Sequence, residues 1–357
     1  MLKDRIARGF FQAHIRVLKA TGGRGNRQWL RKAACPLFFS VTRRTSLIFL
    51  ALLLAAVIAH SAGCARQFPV PEITPIKVAS HADLERYLLS HTPDVAQFRL
   101  RGPFAVIERR DLEIRLRSGS RVGADLYLCA AARKAPLVIV LHGYENSKDD
   151  HAFQAMHVAS WGMHGMAIDL PKRGPWIANG RTLKRLVDAI HRTPQFVDDS
   201  IDGEKIILVG HSFGATAVAT ALGEGAPVLG GVLLDPAGIG SQLKQLLRRI
   251  TVPVMVIGAD ENIRSTRNRE EFYRFIPRAV GEISIRDAVH EDAQYPNKHT
   301  LRAFDENPDD SEEAQLAFVS ALTASAFGLA VIDGIDYAWR SFETAFKTGM
   351  FFNGRRK

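Results

Sequence analysis

Three residue types that together move an acyl group sit in this chain in short loops after apolar runs: a serine, a histidine and several aspartates. Ser212 occupies the centre of Gly210-His211-Ser212-Phe213-Gly214, between the apolar run KIILVGH (205–211) and an alanine-rich helical pattern. A strand-to-helix turn this tight forces the serine into a strained backbone conformation with its hydroxyl exposed. Gly210 and Gly214 leave room for the strand and helix to pass closely. The Phe213 amide, at the start of the helix, then points where a tetrahedral oxyanion would form. The bland alternative is a glycine-rich turn with an incidental serine; the position after a central apolar strand favours the nucleophile.

A second oxyanion donor is expected in LHGYENS (141–147), after the first parallel strand. His142-Gly143 lets the backbone turn, the Tyr144 amide is the candidate donor, and its ring would lie over the acyl site. The general base is expected after the last strand, in EISIRDAVHEDAQYP, where His290 could accept the Ser212 proton and return it to the leaving group. The domain's other histidines do not follow a late strand in this way. For the acid, two loops reach the histidine. One offers Asp235, in LLDPAG, held by the next proline; the other offers Asp260, Glu261 and Asn262, in GADENI. Both keep the chain order Ser, acid, His.

These residues need a sheet that presents several loops at one end. FAVIERRDLEIRL and RVGADLYLC read as an antiparallel pair of strands around SGS. Apolar runs then alternate with helical stretches: PLVIVLH (136–142), GMAIDL (165–170), KIILVGH (205–211), GGVLLD (230–235), PVMVIGA (253–259) and EISIRD (282–287). Continuous apolar runs between helices predict parallel strands buried on both faces. The expected fold is therefore α/β, an open, mostly parallel sheet with an antiparallel N-terminal strand pair and helices on both faces. HADLERYLLSH predicts a short helix, and EEAQLAFVSALTASAFGLAV a long one closing the fold. Trp161 and Trp176 read as packing residues, and LPKRGPWIANGRT is too short to build a large lid.

Residues from about 104 to 350 resemble the α/β-hydrolase superfamily through VIVLHGYENS, HVASWGMHGMAIDLP, VGHSFGATAV, LLDPAG, VPVMVIGADEN and HEDAQYP. The branch they resemble contains chlorophyllases, dienelactone-hydrolase-like esterases and cutinase-like polyester hydrolases. In the register of the cutinase-like acid, this chain has Asn262, which cannot offset the charge of an imidazolium. The chlorophyllase pattern, an acid in a VDP-type motif and an aspartate two residues after the histidine, matches Asp235 and Asp292. The resemblance thus implies Asp235 as the acid ahead of Asp260, with Glu261 third.

Composition supports a globular enzyme with an export segment. The formal charge of +10 is concentrated: residues 1–45 hold eleven of the 47 lysines and arginines and one acid, Asp4, of 37, which leaves 36 of each sign in the other 312 residues. A domain so balanced gives no support to a nucleic-acid-tracking surface. Residues 1–45 form a basic extension whose first stretch, MLKDRIARGFFQAHIRVLKA, could lie on a membrane surface. Leu47 to Ala59 is an unbroken apolar run behind Arg43 and Arg44, so 46–64 reads as a signal-peptide core or membrane anchor. TRRTSLI resembles a twin-arginine signal and SAGC a bacterial lipoprotein cleavage site, with Cys64 lipidated. Residues 65–80 read as a proline-containing linker and 81–357 as the catalytic domain, placed in the bacterial cell envelope outside the cytoplasm. Cys35, Cys64 and Cys129 are the only cysteines and imply no disulfide framework.

The expected activity is cleavage of a carboxylic ester, a small-molecule substrate, through an acyl-enzyme on Ser212, a chemistry that requires neither metal nor organic cofactor. Acyl transfer or amide cleavage would use the same residues. A membrane-tethered binding protein on a hydrolase scaffold is the reading from another class. An aspartate in reach of the His290 ring would tell against it.

Overall fold

The computed structural model describes residues 73–357 except 172, 173, 175, 239, 261–267, 297–309 and 332–335. The basic extension, the apolar segment with Cys64, and the linker up to residue 72 lie outside the described residues, as do Glu261 and Asn262.

In chain order the helices are α1 (His81–Ser90), α2 (Ala152–Ser160), α3 (Trp176–Arg192), α4 (Phe213–Gly223), α5 (Ser241–Leu247), α6 (Asn268–Phe275), α7 (Asp310–Val331), α8 (Asp336–Ser341) and α9 (Glu343–Thr348). The strands are β1 (Val106–Arg115), β2 (Arg121–Cys129), β3 (Ala135–Leu141), β4 (His164–Asp169), β5 (Ile201–His211), β6 (Gly230–Leu234), β7 (Val254–Gly258), β8 (Ala279–Ile285) and β9 (Phe351–Arg355). They form one sheet in the order β1-β2-β4-β3-β5-β6-β7-β8-β9. β3 to β8 run parallel, and β1, β2 and β9 pair antiparallel at the two edges.

The apolar runs become central strands because both faces of the sheet are covered. Every residue of β3 is buried, and successive side chains alternate between two cores. Val138, Val140, Val209, Val232 and Ile257 join the core that holds α2 and α7. Leu137, Ile139, Leu208, Leu233 and Val256 join the core that holds α3, α4 and α6. α7 is apolar around its whole circumference; its stretch Glu312–Ala330 is long and apolar enough to cross a membrane, yet 89% of it is buried inside the fold. A helix lacking a polar face needs cover on all sides, and here the fold supplies it. Alanines 317, 321, 324 and 326, all fully buried, keep that helix close to its neighbours.

The edge strands are defended. β1 exposes Glu108, Arg109 and Arg110, and its register shifts between Arg109 and Leu112, where Asp111 takes a φ of 56°. Charge and a bulge both discourage pairing with a further strand. β9 has no counterpart among the predicted strands. FFNGRRK lacks a core-length apolar run, so only its pairing with Ser284 and Ile285 of β8 makes it a strand.

Candidate active site

The order of the sheet explains where the chemistry gathers. Strand order reverses at β3: β4 lies on one side of it and β5 on the other. Loops leaving the carboxyl ends of β3 and β5 therefore diverge, which opens a crevice between them. The β3 loop carries His142, Gly143 and Tyr144; the β5 turn carries Ser212.

Ser212 has φ 54° and ψ −126°, a conformation unfavourable for any residue with a side chain. The surroundings over-determine it. The Ser212 amide donates to Leu234 O at 3.1 Å, and Ser212 O accepts from Ala215 N at 3.0 Å and Ala237 N at 2.9 Å. Glycine is required on both sides: a Cβ on Gly210 would lie 2.6 Å from Gly214 O, and one on Gly214 would lie 2.3 Å from His142 O. The elbow thus presses directly against the β3 loop.

The serine hydroxyl meets His290. Ser212 Oγ is 2.9 Å from His290 Nε2, and His290 Nδ1 is 2.5 Å from Asp235 Oδ2. Asp235, directly after β6, has φ 33°, and its other oxygen accepts from the Ala259 amide at 3.0 Å. Ser212, Asp235 and His290 thus come from the ends of β5, β6 and β8 and form one hydrogen-bonded chain. An imidazole so placed can take the serine proton at Nε2 while a carboxylate fixes Nδ1–H and balances the imidazolium.

Asp260 stands elsewhere. Its carboxylate accepts from the Asp287 amide at 3.1 Å and faces Arg286 at 3.6 Å, while its own amide donates to Ala288 O at 3.0 Å. It braces the loop leading to His290 and does not reach the ring. Asp292 is likewise a brace: buried, it accepts from the Val289 amide at 2.9 Å and from Gln315 Nε2 at 3.3 Å.

The Phe213 amide begins α4, where the first turn leaves amides without a helical acceptor. Neither it nor the Tyr144 amide donates to another group among the described residues. Tyr144 is 54% exposed, and its ring meets Phe213 edge-on at 6.5 Å between centroids. Trp176 stacks on the other side of Phe213 at 6.0 Å and 14°, and His142 approaches Trp176 at 6.3 Å. Trp176 is thus buried but belongs to an aromatic wall beside the nucleophile; Trp161, whose indole donates to Leu100 O at 3.1 Å, is part of the core.

Two features were not anticipated. The first is a pair of buried histidines behind His290. His211 donates from Nε2 to His290 O at 3.1 Å, and its ring lies 4.8 Å from that of His290. Burial, reinforced by the neighbouring His290 and His151 rings, holds its pKa well below the usual imidazole value. His151, 5.4 Å further on, is fully buried, and burial, then the nearby His142, pushes its pKa down to about 3. Neither ring nitrogen of His151 meets a partner among the described residues. The signal for His211 was its place in the elbow: one residue before Ser212 on a strand, its side chain points to the opposite face, under the histidine loop.

The second is an ion-pair network that fastens the β3 loop. Lys148 Nζ lies 3.0 Å from Asp125, whose carboxylate is fully buried, and 3.0 Å from Asp111. Burial opposes its charge, but the hydrogen bonds to Asp125 and Asp111 prevail and raise its pKa. The Lys148 amide donates to Asp169 Oδ1 at 2.8 Å, and that carboxylate also faces His142 Nε2 at 3.1 Å. Burial alone would raise the Asp169 pKa; the His142 and Lys148 contacts lower it. The loop with Tyr144 is tied to β2 and β4 in this way. Among the described residues no cluster of histidine, cysteine, aspartate and glutamate is arranged to hold a metal ion.

No protein of curated function matches this sequence. The sequence profile of the alpha/beta hydrolase family matches residues 137–346, from β3 through α9. With that match spanning more than half of the chain, on a mostly parallel sheet with its antiparallel pair and flanking helices, the protein belongs to the alpha/beta hydrolase family.

Proposed function

We propose that this hydrolase is a serine esterase that cleaves carboxylic esters through an acyl-enzyme on Ser212. The observation that carries the reading is the continuous chain from Ser212 Oγ through His290 to Asp235. In the first step His290 Nε2 accepts the hydroxyl proton as Oγ attacks the ester carbonyl. The tetrahedral oxyanion is held by the Phe213 and Tyr144 amides, and the imidazolium by Asp235. His290 then protonates the departing alcohol. A water molecule, deprotonated by the same nitrogen, releases the acid and restores Ser212.

Within the family, an acid after β6 rather than β7 supports the chlorophyllase-like side of the branch over the cutinase-like side. It does not imply a chlorophyll substrate. The aromatic wall of Tyr144, Phe213 and Trp176 suits an apolar group on the ester. The basic and apolar segments before residue 65 support a domain exported to the cell envelope and held at the membrane, by Cys64 lipidation or by an uncleaved anchor. The contact between Asp235 and His290 counts against a scaffold that has lost catalysis.

The test is reaction of the full chain, in neutral detergent, with a fluorophosphonate probe and with short-chain p-nitrophenyl esters. The wild type should be labelled and turn over, and Ser212→Ala should do neither. Absence of both labelling and turnover in the wild type would leave the tethered binding protein as the better account.

A further inference from the structure

A second concave site shares no residue with the Ser212 crevice. It is a cavity of about 270 Å³ between the turn joining β1 to β2 and the second half of α3. Arg115 lines it from the end of β1, Arg117 from the turn, and Arg185, Asp188 and Arg192 from the helix. The helical residues are spaced three and four apart, so they form one stripe directed at the turn.

The charges here are not balanced. Asp188 is engaged through both oxygens by Lys184, at 3.0 and 2.9 Å, and Arg115 pairs with Glu113 at 2.8 Å. Arg117, Arg185 and Arg192 form no ion pair among the described residues. Three exposed arginines without an ion pair thus line one cavity, although the chain beyond residue 45 carries equal numbers of acids and bases. Arg192 in the last turn of α3 complements the negative end of that helix, which accounts for one of them. Nothing similar accounts for Arg117 and Arg185, and a groove lined by like charges raises the local concentration of anions. Phe196, 45% exposed, completes the rim with an apolar surface.

We propose that this cavity binds a phosphate ester, with the apolar part of the ligand against Phe196. Arginines placed on two elements can offer several guanidinium forks, which suits a tetrahedral group with several charged oxygens better than a planar carboxylate, which one fork can satisfy. A dissolved phosphate ester and an anionic lipid headgroup present the same group, and the experiment separates them.

Calorimetric titration of the full chain in neutral detergent with phenyl phosphate tests the dissolved form. Flotation with phosphatidylcholine vesicles, with and without phosphatidylglycerol, tests the headgroup. The comparison in each is with Arg117→Ala/Arg185→Ala/Arg192→Ala. Wild-type binding should weaken as sodium chloride rises. The triple variant should bind about tenfold more weakly or worse in one arm, while hydrolysing p-nitrophenyl esters at the wild-type rate. A loss confined to titration assigns a dissolved ester, and a loss confined to phosphatidylglycerol vesicles assigns the headgroup. Equal behaviour of wild type and variant in both arms overturns the proposal. Should the triple variant not fold, Arg185→Gln alone must weaken binding in one arm, and failure to do so has the same meaning.

Discussion

Asp235 Oδ2 lies 2.5 Å from His290 Nδ1, although 55 residues separate the two in the chain. Asp260, closer in sequence and at the end of the next strand, instead holds the Asp287 amide at 3.1 Å. The two aspartates thus divide the work: one orients the ring, the other shapes the loop that carries it. Asp235→Asn should lower kcat on a p-nitrophenyl ester by on the order of 10³- to 10⁴-fold, because an amide favours the wrong tautomer and cannot offset an imidazolium. Asp260→Asn keeps an oxygen for the Asp287 amide and should cost less than about tenfold. Steady-state kinetics on both variants decides. An inactive Asp260→Asn beside an active Asp235→Asn would reverse the assignment.

His211 is a positioning residue on this geometry: it touches the His290 carbonyl at 3.1 Å rather than the reacting atoms. His211→Phe keeps the ring volume but removes the donor to a partly buried carbonyl, at a cost of about 1 kcal/mol. The expected result is a kcat lower by about tenfold with KM nearly unchanged, since the misplaced group acts in the transition state. His211→Gln, which retains a donor, should recover part of the loss. Equal losses in both variants would reduce His211 to a packing role.

Buried neutral histidines make stability depend on acid. His151 is held down to about 3, chiefly by burial and then by His142, and His157 to about 4 by burial, opposed by its bond to Phe98 O. A base whose folded pKa lies below its unfolded value of about 6.5 binds more protons when unfolded, so stability rises with pH across that gap. The contribution is complete above about pH 6.5 and disappears as pH falls toward the folded values. Each of the two should give a slope of about 1.4 kcal/mol per pH unit below that point. Urea unfolding between about pH 5 and 7.5, above the carboxylate range, should show the decline, to which buried His211 also contributes, and His151→Phe should make it shallower by one such slope. An unchanged slope in that variant would show that His151 is not the titrating group.

The Lys148–Asp125 pair should be costly to break on one side only. Asp125 is fully buried, so Lys148→Met leaves a buried carboxylate with only the partly exposed Arg110, at 3.2 Å, as a cation. A loss of about 3–5 kcal/mol is expected in chemical denaturation. The double variant Lys148→Met/Asp125→Leu should be more stable than Lys148→Met alone. Additive losses in the double variant would mean that the two residues act independently.

Much of this enzyme was legible in its residues because burial and strain leave marks on local sequence. Strands covered on both faces read as continuous apolar runs, and PLVIVLH and KIILVGH became the central β3 and β5. The elbow was legible because a turn where Cβ atoms would approach backbone to within 2.6 Å tolerates only glycine around its serine. The acid was legible only through resemblance: Asp235 and Asp260 each follow a strand, keep the required chain order and sit in a turn-forming context, and only the likeness of LLDPAG to a VDP-type motif favoured Asp235. Which one meets His290 depends on how the loop after β8 crosses the ends of β7 and β6, a property of the sheet's order and spacing. The same holds for His211, Lys148 and β9, whose partners lie 79, 23 and about 70 residues away. Local sequence determines what a segment needs in order to be satisfied; only the tertiary fold decides which distant group satisfies it.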